Sequence, residues 1–265
     1  MNTRYRRGTD VLAPVSDMLK IGDVTLGQLP RVVLSVIGES PVVAEAAGEG
    51  VDILEVRVDR FRGPFTQASV VDEVKALKRH EMPLIGTIRG KGEVRGTVKL
   101  SDAERADLYQ NISPLVDAID IDLSATILKS VVTAAHRNKN IVILSHHDFN
   151  GTPSESGLKQ IVGHASQLGA DIIKIATLAQ HESDVLRLLQ FTAAHHPKNL
   201  VTIAMGNIGT VSRLVFPLAG SLMTYTSMAL SDGQIDAKRL IEDLRLYYPR
   251  YNEALIIRTR ALECA

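Results

Sequence analysis

The chain alternates between short apolar runs and longer segments with helical spacing. Runs bounded by polar residues predict buried strands. After Pro30 the apolar runs cover residues 32–37, 52–58, 83–88, 117–123, 140–145, 171–176, 199–204 and 220–226. The segments between them carry apolar residues three and four positions apart, as in Val70, Val74 and Leu77, which predicts amphipathic helices. The pattern therefore predicts eight β–α pairs in order along the chain.

Eight β–α pairs in about 250 residues have the size of a (β/α)8 TIM barrel, an α/β fold. A doubly wound open sheet is the alternative, but Gly38-Glu39-Ser40-Pro41 does not match its glycine-rich dinucleotide fingerprint. Ile21–Gly27 reads as a small β-hairpin ahead of the first long strand. No linker-like stretch divides the chain, so we predict a tail over 1–20, a single barrel domain over 21–250 and a C-terminal extension over 251–265.

Composition narrows the classes of function. The 30 Lys and Arg residues balance 30 Asp and Glu residues, so nothing favours a nucleic-acid partner. No apolar stretch has the length of a membrane span, and no signal-peptide core follows the basic start. The one cysteine, Cys264, excludes a disulfide framework within the chain. We therefore expect a cytoplasmic protein without nucleic-acid or membrane partners.

Lys174 stands out because it lies inside the apolar run Asp171–Ala176. An ammonium among β-branched residues is costly to bury, and burial disfavours the charged form. We therefore expect a lowered pKa for Lys174, which would make the amine a nucleophile. The preceding strand ends in Ser145–Phe149, which contains His146 and His147. A lysine within one strand and a histidine at the end of its neighbour indicate Schiff-base chemistry with an acid/base partner.

His146 and His147 are adjacent on a strand, so their side chains point to opposite faces and only one can face the barrel interior. Adjacent histidines of a regular strand cannot both bind one metal ion. No H-x-H or H-E-x-x-H spacing is present either. The sequence therefore does not favour a metal site.

Charged residues lie near the predicted strand ends, where barrels carry their functional groups. In strand two the period-two alternation puts Glu55, Arg57 and Asp59 on one face, directed into the barrel. The local pattern allows two interpretations. One is an ion-pair layer that fills the barrel, and the other is a polar floor for a hydroxylated, anionic substrate.

Three later strands add further candidates. Arg89 ends strand three, and a strand-terminal arginine can bind a hydroxyl or carboxylate through two N–H groups. Asp120 and Asp122 share one face of strand four, and we interpret them as structural partners of inward arginines. A glycine-rich turn after strand seven leads to Arg213, which is placed to clamp a carboxylate.

Taken together, these stretches resemble the type I 3-dehydroquinate dehydratases. The resemblance covers roughly residues 20–245. Each stretch alone is unspecific, but six in family order at successive strand ends are highly specific. The matching stretches are Leu54–Asp59, Thr87–Arg89, Ser145–Phe149, Ile173–Ala176, Met205–Arg213 and Asp232–Gln234.

The resemblance implies a (β/α)8 barrel closed at its bottom by an N-terminal hairpin, here Ile21–Gly27. It also implies a homodimer without metal or cofactor. The reaction would be a syn elimination of water from 3-dehydroquinate, giving 3-dehydroshikimate in the shikimate pathway of aromatic amino acid biosynthesis. Lys174 would form an imine with the ketone, and His147 would act as general base and then general acid.

The resemblance also assigns roles to residues around this pair. Glu93 would orient the catalytic histidine, and Arg213 would pair with the substrate carboxylate. Ring hydroxyls and the lysine would be held by Glu55, Arg57 and Arg89. Contacts from the loop after strand eight would come from Ser231 and Gln234.

That loop departs from the family pattern. The family commonly has Ser-Ala-Pro-Gly-Gln where this chain has Leu230-Ser231-Asp232-Gly233-Gln234. Two alternatives therefore stand beside the expected lyase. One is an imine-forming enzyme for a related cyclitol acid, and the other is a weakly active homologue that serves as a small-molecule binding protein.

Overall fold

The protein is described by a computed structural model over residues 19–61, 65–90 and 100–253. Most of the predicted tail, 1–20, and most of the predicted extension, 251–265, lie outside these residues, so the domain boundaries stay predictions. Within the described residues, none of the helices combines the length and the apolar character needed to cross a bilayer.

All eight predicted runs form strands of one parallel sheet, with bounds that differ from the prediction by a few residues. A two-stranded antiparallel hairpin, β1–β2, precedes it. The sheet order is β10-β3-β4-β5-β6-β7-β8-β9. The strands are β1 (Lys20–Ile21), β2 (Val24–Thr25), β3 (Arg31–Val36), β4 (Ile53–Arg57), β5 (Leu84–Thr87), β6 (Ala118–Asp122), β7 (Ile141–Asp148), β8 (Ile172–Leu178), β9 (Leu200–Met205) and β10 (Met223–Ser227).

Backbone hydrogen bonding joins the two ends of the sheet. The N–H of Leu222, just before β10, donates to the carbonyl oxygen of Leu200 in β9 at 2.8 Å. The predicted (β/α)8 barrel is therefore confirmed, and the open sheet is excluded.

Helices follow the strands in the predicted alternation. Their apolar faces pack against the outward side chains of the strands. The third helix begins with a capping box, in which the Ser101 hydroxyl accepts from the Glu104 backbone N–H while the Glu104 carboxylate accepts from the Ser101 backbone N–H. The helices are α1 (Pro41–Glu49), α2 (Gln67–Lys78), α3 (Asp102–Ile112), α4 (Leu128–Arg137), α5 (Glu155–Gln167), α6 (Glu182–His195), α7 (Ser212–Val215) and α8 (Ala237–Tyr247).

The barrel interior is built in layers of four side chains, each layer taken from alternate strands. The layers nearer the strand N-termini are apolar and buried. One contains Ile53, Ala118, Ile172 and Met223, and the other contains Val33, Ile85, Ile143 and Val201. Because side chains alternate along a strand, the residues two positions after the first set also face inward. They are Glu55, Asp120, Lys174 and Tyr225, which we call the charged layer.

The hairpin closes the N-terminal end of the barrel, as predicted. Ile21 and Leu26 are buried against the apolar layers. The Nε of Arg31 donates to the Thr25 carbonyl at 2.9 Å, which ties the hairpin to β3. Gly22, with a φ of 57°, supplies the turn and lies against Pro83.

The end of β4 differs from the predicted alternation. The strand stops at Arg57, and Val58–Arg60 forms a 3₁₀ turn. The Asp59 carboxylate therefore does not continue the inward row. Instead it accepts from Nε and one terminal nitrogen of Arg57 at 3.0 and 2.7 Å.

Candidate active site

Lys174 lies at the centre of the charged layer and is 4 % exposed. Its Nζ donates to Glu55 Oε1 at 3.1 Å and to Asp120 Oδ2 at 3.0 Å. The same atom lies 3.9 Å from the ring centroid of Tyr225. Two carboxylates and an aromatic face from three other strands therefore surround the amine.

These neighbours decide the charge of Lys174. Burial alone would lower its pKa, but the carboxylates of Asp120 and Glu55 outweigh burial and raise the pKa above its ordinary value. The sequence-based expectation of a lowered pKa is wrong, because the two carboxylates come from strands distant in sequence. Lys174 is thus a buried ammonium, which must lose a proton before it can act as a nucleophile.

Asp120 links Lys174 to Arg89. One terminal nitrogen of Arg89 donates to Asp120 Oδ1 at 2.7 Å, and the other donates to Ser145 Oγ at 2.6 Å. The Ser145 hydroxyl in turn donates to Asp120 Oδ1 at 2.6 Å. Burial would raise the pKa of Asp120, but Arg89 and Lys174 hold it below its ordinary value. Asp120 is therefore the ionised partner of an inward arginine, as predicted.

His147 faces the same space from the end of β7. It lies two residues beyond Ser145 on the inward side of the strand and lines the cavity, whereas His146 does not. Burial and the charge of Arg89 lower the pKa of His147 to about 4, although its hydrogen bond with Asp122 raises it. The imidazole is therefore neutral at neutral pH and can accept a proton.

Asp122 orients this imidazole. Its Oδ2 lies 3.3 Å from His147 Nδ1, and its Oδ1 accepts from the Ser124 backbone N–H at 2.9 Å and hydroxyl at 2.6 Å. Burial would raise the pKa of Asp122, but the hydrogen bonds from His147 and Ser124 lower it. An ionised carboxylate can only accept, so Nδ1 carries the hydrogen and Nε2 has the free lone pair.

Glu93, the residue expected to orient His147, lies outside the described residues. Among those described, Asp122 is the carboxylate in contact with the imidazole. Asp122 was predicted to partner an inward arginine; the charge of Arg89 does help to lower its pKa, but its side-chain hydrogen bonds among the described residues are with His147 and Ser124. The sequence contained the signal, because Asp122 and His147 both fall on inward positions of neighbouring strands.

Arg213 approaches from α7, which follows the turn at Gly206. It is 5 % exposed, and a terminal nitrogen lies 3.4 Å from the Ala204 carbonyl oxygen. Among the described residues, Nε has no hydrogen-bond partner and no carboxylate forms an ion pair with the guanidinium. Burial lowers the pKa of Arg213 to about 10, so the side chain stays cationic at neutral pH.

Lys174, His147 and Arg213 line one cavity of about 220 Å³, whereas their partners Asp120 and Asp122 do not line it. That volume suits a small metabolite, because pockets for drug-sized ligands span roughly 300–1,000 Å³. The cavity lies at the C-terminal end of the barrel strands, where enzymes of this fold have their active sites. The predicted residues that line it are Glu55, Arg57, Arg89, His147, Lys174, Arg213, Ser231 and Gln234.

Comparison with known proteins agrees with this geometry. A sequence model described as type I 3-dehydroquinase matches residues 32–250. The chain belongs to the type I 3-dehydroquinase family. It is 37 % identical over 224 residues to the 3-dehydroquinate dehydratase of Methanocella arvoryzae. The aligned region covers 82 % of this chain and 96 % of that protein.

Two further members of the family match at similar coverage. The 3-dehydroquinate dehydratase of Methanococcoides burtonii is 34 % identical over 232 residues, 86 % of this chain and 97 % of that protein. The structure also resembles the crystal structure of the type I enzyme of Clostridium difficile with covalently modified comenic acid. That comparison has a TM-score of 0.79 and 31 % identity, and it covers 86 % of this chain and 96 % of the other.

The loop that departs from the family pattern keeps Ser231 and Gln234 at the cavity, whereas Asp232 does not line it. The Ser231 backbone N–H donates to Gln234 Oε1 at 2.8 Å, and the Gln234 N–H donates to the Ser231 carbonyl at 3.0 Å. Gly233 has a φ of 76°, and a Cβ there would collide with the Gly206 carbonyl, so a glycine lets the loop lie against the end of β9. Leu230 is exposed and does not line the cavity.

Sequence reasoning did not single out several other lining residues, including Ser35, Ile203 and Tyr225. Tyr225 had a usable signal, because it lies two positions after the inward Met223 on β10. The run was read only as an apolar strand, which hides a hydroxyl at an inward position.

Proposed function

We propose that this chain dehydrates 3-dehydroquinate to 3-dehydroshikimate through an imine on Lys174. Membership of the type I 3-dehydroquinase family supports the substrate and the reaction. The observation that carries the mechanism is a single cavity that holds a buried lysine, a neutral histidine and a buried arginine without a carboxylate partner among the described residues.

The reaction begins when Lys174 loses a proton and its neutral amine attacks the ketone carbon. Loss of water from the resulting carbinolamine gives a protonated imine. The imine withdraws electrons and makes the adjacent C–H acidic. His147 removes that proton through Nε2, and the electron pair forms an enamine. His147 then returns the proton to the hydroxyl on the next carbon, and this hydroxyl leaves as water. Hydrolysis of the imine finally releases the product.

The surrounding residues hold the substrate and the two reacting side chains. Arg213 pairs with the substrate carboxylate, because a buried cation gains most from an anion delivered by the ligand. Asp122 keeps the His147 tautomer that leaves Nε2 free. Ring hydroxyls are bound by Glu55, Arg57 and Arg89, with Ser231 and Gln234 contacting the substrate from the loop. Glu93 remains a proposed additional partner of His147.

We also propose that the enzyme acts as a homodimer in the cytoplasm and serves the shikimate pathway. Light scattering coupled to size-exclusion chromatography gives the mass of the species in solution. A mass near twice 28.8 kDa is expected, and a monomer at micromolar concentration contradicts the homodimer.

Borohydride reduction in the presence of 3-dehydroquinate tests the mechanism. Intact mass should show one reduced adduct, and peptide mapping should place it on Lys174. Lys159 is a matched control, because it is an exposed lysine whose ion pair within the described residues is with Glu155. Lys159→Met should still give the adduct, whereas an adduct on another lysine, or turnover without any adduct, overturns the mechanism.

A substrate analogue without the carboxylate tests the part given to Arg213. Wild-type kcat/KM for the analogue should fall by about 10²-fold relative to 3-dehydroquinate, since a buried charge-assisted pair contributes about 1.5–3 kcal/mol. Arg213→Gln should lose most of this discrimination. Equal rates with both compounds in the wild type would exclude the proposed carboxylate pairing.

A further inference from the structure

We propose that Tyr225 binds the substrate, with its hydroxyl donating a hydrogen bond to a substrate oxygen above the charged layer. This inference rests on the proposed function and assigns a residue that the family resemblance did not.

Tyr225 is the one member of the charged layer that carries no charge. The other three, Glu55, Asp120 and Lys174, are joined by hydrogen bonds. Tyr225 is 6 % exposed and presents its ring to the Lys174 Nζ, 3.9 Å from the centroid. The ring thus covers one side of the amine that forms the imine, and Tyr225 is one of the residues that line the same cavity.

The hydroxyl of Tyr225 is buried and makes no hydrogen bond of acceptable geometry within the described residues, although the nearby Lys174 ammonium acts to lower its pKa. Burying a polar group without a partner is unfavourable, so packing alone would favour phenylalanine at this position. Burial also raises the pKa of Tyr225 above its ordinary value, which keeps the hydroxyl protonated and able to donate. Because Tyr225 lines the substrate cavity, an oxygen of the bound ligand can accept the hydrogen bond that the protonated hydroxyl donates.

Tyr109 shows what a structural tyrosine looks like in this barrel. It is also buried, but its hydroxyl lies 2.8 Å from the Asp120 carbonyl oxygen and accepts from the Ile88 backbone N–H at 3.0 Å. Its hydrogen bonds are therefore complete without a ligand, and it does not line the active-site cavity. The hydroxyl of Tyr109 is hydrogen-bonded to the protein backbone, whereas that of Tyr225 is not. The same substitution at both positions therefore makes a paired experiment.

Tyr225→Phe removes the hydroxyl and keeps the ring over Lys174. We expect KM for 3-dehydroquinate to rise about 5- to 10-fold with kcat nearly unchanged, which is the effect of losing one neutral hydrogen bond made equally in ground and transition states. The midpoint of thermal unfolding should stay the same or rise. Tyr109→Phe should instead lower that midpoint, and exposed Tyr247→Phe should change neither quantity.

Three outcomes separate the possibilities. Unchanged KM for Tyr225→Phe, with wild-type turnover and a Lys174 adduct intact, overturns this inference alone. A lowered unfolding midpoint with unchanged KM makes Tyr225 a structural residue and also overturns it. Wild-type enzyme that neither turns over 3-dehydroquinate nor forms the adduct overturns the proposed function, and the role of Tyr225 with it.

Discussion

The two halves of the barrel interior are made from the same strands. Inward positions only two residues apart along a strand nevertheless differ in chemistry. Ile172 and Lys174 follow one another on the inward side of β8, as Ala118 and Asp120 do on β6. The half near the hairpin is apolar, and each fully buried aliphatic side chain there contributes about 1.5–3 kcal/mol. The other half buries charges, whose desolvation largely cancels their attraction. The alternation of side chains along a strand thus determines whether a side chain points into the barrel. The layer in which that side chain lies determines its function.

Lys174→Met gives the largest expected effect and tests the charged half. Methionine keeps an unbranched side chain but has no amine, so kcat should fall by at least about 10³-fold and the borohydride adduct should vanish. Steady-state kinetics and intact mass measure both. Turnover above about one per cent of wild type would contradict an essential amine at this position.

Ile172→Ala is the matched change in the apolar half. It lies two residues before Lys174 and is fully buried. Truncation should lower the free energy of unfolding by about 2–4 kcal/mol, while kcat/KM of the folded enzyme stays within about threefold of wild type. Urea denaturation and kinetics at low temperature give the two quantities. Loss of catalysis comparable to that of Lys174→Met would mean that the halves are not separable.

Much of this comparison was predictable from the sequence, because strand alternation needs only local information. It placed Glu55 inward, and it allowed one of the two adjacent histidines to face the site, while the apolar run around Lys174 marked that residue as a buried lysine. The hairpin from Ile21 was predicted in the same way. These predictions depend on residues close in sequence, where the period of two is reliable.

Two of the predictions that failed depend on residues far apart in sequence. Lys174 meets Glu55 across 119 positions and Asp120 across 54, so no local pattern could give the raised pKa. The pairing of Asp122 with His147 required the neighbouring strands to be in register. The prediction for Asp59 failed for a local reason, because the strand ends at Arg57, two residues before it, and the Asp59 carboxylate accepts from the Arg57 guanidinium in the turn that follows.

Asp122→Asn tests whether Asp122 orients His147 and should have an intermediate effect on activity. General acid–base catalysis by a positioned side chain contributes about 10²- to 10⁴-fold, and we expect part of it, about 10- to 100-fold, to be lost from kcat, with a smaller change in KM. Asp122 raises the pKa of His147, so its removal should lower that pKa and move the acid limb of the pH–rate profile to lower pH.

The surface change Asp243→Asn is the control for this prediction, since Asp243 pairs only with the exposed Arg239 in the described residues. Unchanged kcat in Asp122→Asn, together with a large loss in Glu93→Gln, would transfer the orienting role to Glu93.

Glu55→Gln should have the smallest effect. It tests how the charged layer sets the pKa of Lys174. Glu55 helps to raise the pKa of Lys174, so removing its charge should lower that pKa and increase the neutral fraction at any given pH. Glutamine can still accept from Thr87, whose hydroxyl lies 3.2 Å from Glu55 Oε1. At saturating 3-dehydroquinate, the rate of borohydride trapping should therefore reach its plateau at lower pH than in the wild type. A plateau shifted to higher pH would show that Glu55 accepts the lysine proton rather than merely stabilising the ammonium.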